Sequence, residues 1–512
     1  MSSALYATLA IALSLLVYAP ILKNYFWLDD FLILEMLANL PLGKFLTVLW
    51  AGHLVLVRNA FYAGMFAVVG ANPMPFYLVL LALHGLNVGL VFAIVSIVTR
   101  SAPLACLAAA AWGTCPLNEG ALGWIAASGN VMVATSTLVV LYDAVRAVWR
   151  QARVGLARAA LWAALLLAGA QSFGTGLGVA LAAPLMIAWL AWDRLSAGAR
   201  VVLLAVPVLT GAMYGVDYSQ FTGPLGSSVL AKADMLFHLL AVGASTLVRG
   251  LGYEPVSSDF VAPVGADAGP SSFPLTVYVI TALVISLWVI ATVWLATGRT
   301  RRLLIALAVL GLGNYGVIAA GRAYWIESLH QSVVRWTVQT RYHYSATALL
   351  AIGLALIIAS VLGSRLTRWA RPLLITWIVL FAILYAHTGW TIRHYDAERQ
   401  RAERVLTRID AAIRATPADE PVVTYNEPFL DGPFVAGAAS LYVINRPNRY
   451  NGEPDVYFVD SGATTVWRKY PESPLARAML LPPPAAGLAC GARFTFQSDG
   501  QSIFPDGRHE KP

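Results

Sequence analysis

Two adjacent carboxylates, Asp29 and Asp30, stand in "NYFWLDDFLIL" (residues 24–34), a stretch that is otherwise largely aromatic and aliphatic. An aspartate with its ordinary pKa of about 3.9 is ionised at neutral pH, so it can take a proton from a hydroxyl or hold a cation. A water-exposed acid at a helix start is the plainer reading of the same pair, and the local sequence leaves both open. Glu119, in "CPLNEGALGWIAASGN", carries the same ambiguity. His84 and Asn87 are spaced to share one helix face, which suits hydrogen bonds between helices. Arg58, Arg322, Arg335 and Arg341 complete the set. A guanidinium fork matches phosphate oxygens, and it serves equally as a headgroup anchor whose stem stays in the apolar layer.

These residues must be positioned by helices that cross a membrane. Of 512 residues, 58% are hydrophobic and 12% are charged, with a mean hydropathy of +0.66; an ordinary soluble domain has about 25% charged residues. The net charge of +8 is no signature of nucleic-acid binding. Its arginines fall in short clusters between apolar runs of about 20 residues, the length that crosses a hydrocarbon core. Cys106, Cys115 and Cys490 make neither a disulfide framework nor a metal-ligand spacing.

Hydropathy predicts spans near 4–22, 76–98, 102–114, 129–148, 157–172, 174–192, 200–215, 275–297, 302–320, 342–362 and 372–390, about eleven in all. Arg100, the group Arg146 to Arg158, Arg194 and Arg200, Arg299 to Arg302, and Arg365 to Arg371 then alternate onto one side, which the positive-inside rule makes cytoplasmic. Asp29 and Asp30, the loop with Glu119, the loop 321–341 and everything after 391 fall on the extracytoplasmic side.

Two outer segments are apolar at interrupted helical spacing, 29–70 and 228–250, and read as helices lying in the interface or dipping partly into the bilayer. After residue 391 the composition shifts. A charged amphipathic helix over 391–415 precedes the strand-like runs "PVVTY", "SLYVINR", "DVYFVD" and "RFTFQ", and "LLPPPAAG" reads as a linker. The expected organisation is a mainly α, polytopic membrane domain over 1–390 and a small extracytoplasmic α+β domain over 391–512.

The joint pattern resembles a known family. "WLDDF" after the first span, "LVRNAFYAGMFAVVGANPMPFYLVLLALHGLNVGL", "CPLNEGALGWIAASGN" and the late "QTRYHYSATALLAIGLAL" are similar to the polytopic glycosyltransferases of the GT-C fold. Within that fold they look like the bacterial relatives of the O-mannosyltransferases that carry tetratricopeptide repeats. The family's acidic pair corresponds to Asp29 and Asp30, its arginine before the second long helix to Arg58, and its His and Asn within that helix to His84 and Asn87. Its Pro-x-x-Glu with Trp corresponds to Pro116, Glu119 and Trp124, and its Arg-Tyr-x-Tyr to Arg341, Tyr342 and Tyr344. The chain departs from the family in having Asn59 after Arg58 where proline is common, and "SFGTGLG" where Ser-Lys-Glu is frequent. No tetratricopeptide array follows.

The resemblance implies an enzyme of the bacterial inner membrane that moves a sugar from a polyprenyl-phosphate donor to a glycan, lipid or protein acceptor of the cell envelope. It makes Asp29 the general base and gives Asp30 an orienting role or a divalent cation. Arg341, with Arg58 and Tyr342, would face the donor phosphate; Glu119, His84 and Asn87 would support the acceptor or the catalytic loop. Two rivals remain. A flippase for lipid-linked saccharide predicts broken helices at matching places in two halves, and no duplication is visible; a non-catalytic assembly subunit would keep the fold alone. The absence of a P-loop wording speaks against a nucleotide-driven pump.

Overall fold

A computed structural model describes residues 2–27, 29–50, 53–70, 72–219, 227–249, 273–328 and 332–382, with six short strands between 422 and 506. The chain is a mainly α, polytopic membrane protein. Its first helix, α1 (Ser3–Tyr18), starts where the Ser2 hydroxyl accepts the Leu5 N–H at 3.3 Å. Segment 29–70 then folds as α2 (Asp29–Asn39), α3 (Leu42–Leu46), a hairpin of β1 (Leu49–Trp50) and β2 (His53–Leu54), and α4 (Leu56–Val69). None of these pieces is long enough to span, in keeping with the interrupted periodicity.

Next come α5 (Pro73–Thr99), α6 (Ala102–Gly113), α7 (Glu119–Leu122), α8 (Ser128–Trp149), α9 (Leu156–Ala170), α10 (Gly174–Ala191) and α11 (Ala197–Ser219). Helix starts follow side-chain chemistry: Asn72 caps α5 with Pro73 in its first turn, and Ser101 caps α6. The remainder is α12 (Val229–Arg249), α13 (Leu275–Ile290), α14 (Gly298–Ser328), α15 (Val333–Thr337), α16 (Tyr344–Leu362) and α17 (366–382).

Among the described residues, nine helical stretches are long and apolar enough to cross a membrane. Most of the expected spans are among them, and three differences are informative. Helices α6 and α9, of 12 and 15 residues, are shorter than a crossing requires. Expected span 342–362 and the described part of 372–390 fall in one 39-residue stretch, Tyr344–Ala382. It is broken at Gly363, whose φ of 50° lies in the left-handed region that a residue without Cβ enters freely. Finally α12, expected to lie in the interface, is a full-length candidate span packed on α13, α14, α15 and α16. Its polar residues lower the local hydropathy, but the buried His238 is satisfied: it meets the Asp234 carbonyl at 2.8 Å and, across the bundle, the Tyr278 hydroxyl at 3.2 Å.

In the C-terminal part, β3 (Val422–Tyr425), β4 (Val456–Val459), β5 (Val466–Arg468), β6 (Met479–Leu481), β7 (Arg493–Phe496) and β8 (Ile503–Asp506) form one mixed sheet of order β6-β5-β4-β3-β7-β8. Strand β3 runs parallel to β4 and β7, and the other pairings are antiparallel. The expected runs at 421–425, 455–460 and 493–497 are strands; the linker reading of "LLPPPAAG" gives way at its start, where Leu480 and Leu481 pair with β5. The expected helix 391–415 and strand 440–446 lie outside the described residues.

Candidate functional site

The two aspartates at the start of α2 have different surroundings. Asp30 is buried and its carboxylate is fully engaged. One oxygen accepts the Trp27 N–H at 2.8 Å, and the other accepts the Tyr62 hydroxyl and the Ala126 N–H, both at 2.6 Å. Only the acidic half of a capping box is present: the Asp30 side chain reaches back to the Trp27 N–H, while the Asp30 N–H returns to the Trp27 backbone carbonyl at 2.9 Å. The other two bonds tie α2 to α4 and to the turn before α8. Burial pushes the Asp30 carboxyl up to about 7, against the three donors that favour its charged form.

Asp29 is half-buried and, among the described residues, accepts no hydrogen bond and joins no ion pair. Loss of water raises its carboxyl above the ordinary range, while Arg341, Arg58 and Arg322 pull it back down. This residue is therefore an acid that feels the charge of three arginines and, among the described residues, is ion-paired to none of them.

Each cation arrives on a different element. Arg58, on the first turn of α4, is buried and donates to the Asn59 side-chain oxygen at 3.0 Å; burial pushes it down to about 10, against the attraction of Tyr62, Asp29 and Asp30. Arg322 lies near the end of α14, over the Trp336 ring at 5.6 Å. Arg341 sits in a 3-10 turn, Thr340–Tyr342, with its guanidinium 5.1 Å from the Trp124 ring centre and 4.8 Å from that of Tyr342. It also donates to the Tyr342 hydroxyl at 3.4 Å. Burial acts to raise the Tyr342 phenol, but Arg322 and Arg341 outweigh it and hold the group below its usual value.

The frame that fixes Asp29 is a set of bonds that hold the segment before α2. The Trp124 indole N–H donates to the Trp27 carbonyl at 3.0 Å, and the Tyr77 hydroxyl donates to the Tyr25 carbonyl at 2.9 Å. Gly120 packs so closely on Thr340 and the Arg341 backbone that a Cβ would collide with both. Glu119, buried beside it at the start of α7, belongs to this joint between the two loops.

His84 and Asn87 belong to a different cluster. The His84 Nε2 meets the Gly113 carbonyl at 2.9 Å, so it is the protonated nitrogen, and Nδ1 accepts from the Tyr344 hydroxyl at 2.8 Å. Asn87 donates towards the same hydroxyl at 3.4 Å and the Val131 carbonyl at 3.5 Å. These contacts join α5, α6, α8 and α16, the interhelical role that their spacing suggests. Their link to the Asp29 cluster runs through the Thr340–Tyr342 turn, which carries Arg341 and leads into α16 at Tyr344.

Sequence reasoning singled out Asp29, Arg58 and Arg341, counted Arg322 among the outer arginines without giving it a role, and missed Tyr62. An arginine near an expected outer helix end was the signal for the first. For the second it was Tyr62 lying one turn after Arg58, on the same face of α4.

No protein-family profile matches the chain, and no curated protein matches it. Among solved structures, that of ArnT from Cupriavidus metallidurans bound to undecaprenyl phosphate is similar at 13% identity, over 90% of this chain and 94% of that one, with a TM-score of 0.42. A likeness at that level carries neither fold nor function over to this chain.

Proposed function

We propose that this chain is a GT-C-like membrane glycosyltransferase that moves a sugar from a polyprenyl-phosphate donor to a glycan, lipid or protein acceptor of the cell envelope. The observation that carries the reading is the half-buried Asp29 carboxylate, without a hydrogen bond or ion pair among the described residues and under the charges of Arg341, Arg58 and Arg322. A base needs an open lone pair, and a phosphate leaving group needs fixed cations; this cluster offers both within one site.

Asp29 takes the proton of the acceptor hydroxyl as its oxygen attacks the anomeric carbon from the face opposite the phosphate. The new glycosidic bond forms while the bond from carbon to phosphate oxygen breaks, with inversion. The electron pair leaves on polyprenyl phosphate, whose added charge the guanidiniums meet. Preorganised donors of this kind contribute about 2.7–4 kcal/mol each where they have been removed in other enzymes. Arg341, stacked on Trp124 and bonded to Tyr342, has its fork oriented in advance, which suits two-point contact with a phosphate.

A divalent cation does not fit the residues present. The oxygens of Asp30 already accept three hydrogen bonds, and the charges acting on Asp29 are those of arginines. In this reading the cluster faces the extracytoplasmic side of the inner membrane, as the arginine distribution predicts, and 391–512 forms a separate domain on that same side.

Mass spectrometry of polyprenyl-linked sugars and envelope glycans, in cells with and without the protein, tests the proposal. It predicts one missing glycan sugar and accumulation of its lipid-linked donor. An unchanged glycan profile together with unchanged donor would contradict it.

A further inference from the structure

Helix α14 has arginines at both ends. Arg302 and Arg322 lie about 30 Å apart at the α-helical rise, roughly the thickness of a hydrocarbon core. Around the Arg302 end, the last turns of α8 and α10, the short turn after α10 and the first turn of α14 enclose a cavity of 210 Å³. One water takes about 30 Å³ in the liquid, so the space suits a group several times larger.

Its lining is unbalanced. Arg194, Arg299 and Arg302 face Asp193 as the single acid, over an apolar floor that includes Val148 and Leu190. Arg194 donates to the Gln151 carbonyl at 3.4 Å. The ion pairs found among the described residues are Asp143 with Arg158 and Asp234 with His238, so none of the three arginines is neutralised by one. Three arginines from two elements line this hollow with one carboxylate, Arg194 and Arg299 half-buried and Arg302 and Asp193 exposed, and the excess of positive charge suits an anion.

The surroundings point to where that anion comes from. Trp189, Trp192 and Trp294, near the ends of α10 and α13 at this level, are exposed, and Arg200 lies 4.4 Å from the Trp192 ring centre. Exposed indoles beside arginines mark the headgroup layer of a bilayer. An apolar floor would be of no use to a free inorganic anion, but it accepts the glycerol and the first methylenes of a lipid. A zwitterionic headgroup would bring its own cation among three others; an anionic headgroup brings only the phosphate.

We propose that this cavity binds the phosphate of an anionic membrane lipid, with Arg194, Arg299 and Arg302 as its ligands and the acyl chains leaving past Leu190. The site lies at the other end of α14 from Asp29 and does not depend on the reaction proposed there.

The test is lipid retention on the purified full-length protein, read by native mass spectrometry after exchange into phosphatidylglycerol or phosphatidylcholine nanodiscs, with inorganic phosphate as a third arm. We expect phosphatidylglycerol to be kept in preference to phosphatidylcholine, and inorganic phosphate to be washed away. Each of Arg194→Gln, Arg299→Gln and Arg302→Gln should weaken retention about fivefold, and the triple variant on the order of a hundredfold. Arg365→Gln with Arg368→Gln removes charge outside the cavity and should leave retention unchanged. Asp193→Asn keeps the shape and removes the one opposing charge, so it should strengthen retention, which keeps the proposal testable if the triple variant does not fold. Equal retention of the two lipids, equal loss in the Arg365/Arg368 control, or inorganic phosphate held as firmly as the lipid would overturn the assignment.

Discussion

Two of the polar clusters in the apolar bundle are built on opposite principles. Around His84 the groups close on one another: both ring nitrogens have partners, at 2.8 and 2.9 Å, and the contacts join four helices. Around Asp29 the carboxylate itself stays open, with no hydrogen bond or ion pair among the described residues, while the charges of Arg341, Arg58 and Arg322 act on it. A buried polar group without a partner is costly. A folded chain therefore either satisfies such groups internally, as at His84, or leaves them arranged for something that binds, as at Asp29. The same contrast divides Asp29 from Asp30, adjacent in sequence, of which only Asp30 is taken up by the fold.

Substitutions can break or sharpen that contrast. The largest effect is expected for Asp29→Asn, which removes the base and little else: turnover should fall by about 10²–10⁴-fold, the range typical of general acid–base catalysis, with the thermal midpoint unchanged. His84→Ala should do the reverse. It leaves the Tyr344 hydroxyl and the Gly113 carbonyl without their partner, so stability should drop by about 1–3 kcal/mol in a denaturation assay while turnover per folded molecule is kept. If Asp29→Asn unfolded the protein and His84→Ala abolished turnover in folded protein, the two clusters would have been assigned the wrong way round.

Arg341→Lys is a finer probe. Lysine keeps the charge and loses the planar fork, so use of the donor should weaken about tenfold, the worth of one charge-assisted hydrogen bond, with stability little affected. An unchanged apparent affinity for the donor would remove Arg341 from the phosphate.

The smallest effect is in pH. Asp29 must be ionised to act, so kcat/KM should fall as pH drops through its pKa, and burial sets that acid limb above the ordinary carboxylate value of about 3.9. Arg341 lowers the Asp29 pKa, so Arg341→Gln should move the limb to higher pH. A limb that stays in place would mean that the two charges are not coupled.

Much of this frame was legible in the sequence because a membrane span is a local property: about 20 apolar residues declare themselves. Helix α12 shows where that fails. Lys232, Asp234 and His238 reduce its hydropathy, and the Tyr278 hydroxyl that helps satisfy His238 lies on another helix, where no local window sees it. The site divides in the same way. Asp29, Arg58 and Arg341 stand out as charged residues beside apolar runs. That Asp30 is consumed by Trp27, Tyr62 and Ala126 follows only from contacts between distant parts of the chain. The closeness of the Glu119 loop to Arg341 likewise depends on Gly120 admitting Thr340, a contact across more than two hundred residues. Arg322 was visible as an arginine on the unexpected side, but its place beside Asp29 is a product of helix packing.

The central claim is that the Asp29 cluster makes and breaks covalent bonds. Purified protein in detergent, where no second compartment exists, should release free polyprenyl phosphate in step with glycosylation of an acceptor, and Asp29→Asn should stop both together. If a broad panel of donors and acceptors gives no covalent change in detergent, while sealed vesicles containing the protein move intact lipid-linked sugar from one leaflet to the other, the chain is a transporter and the account is wrong.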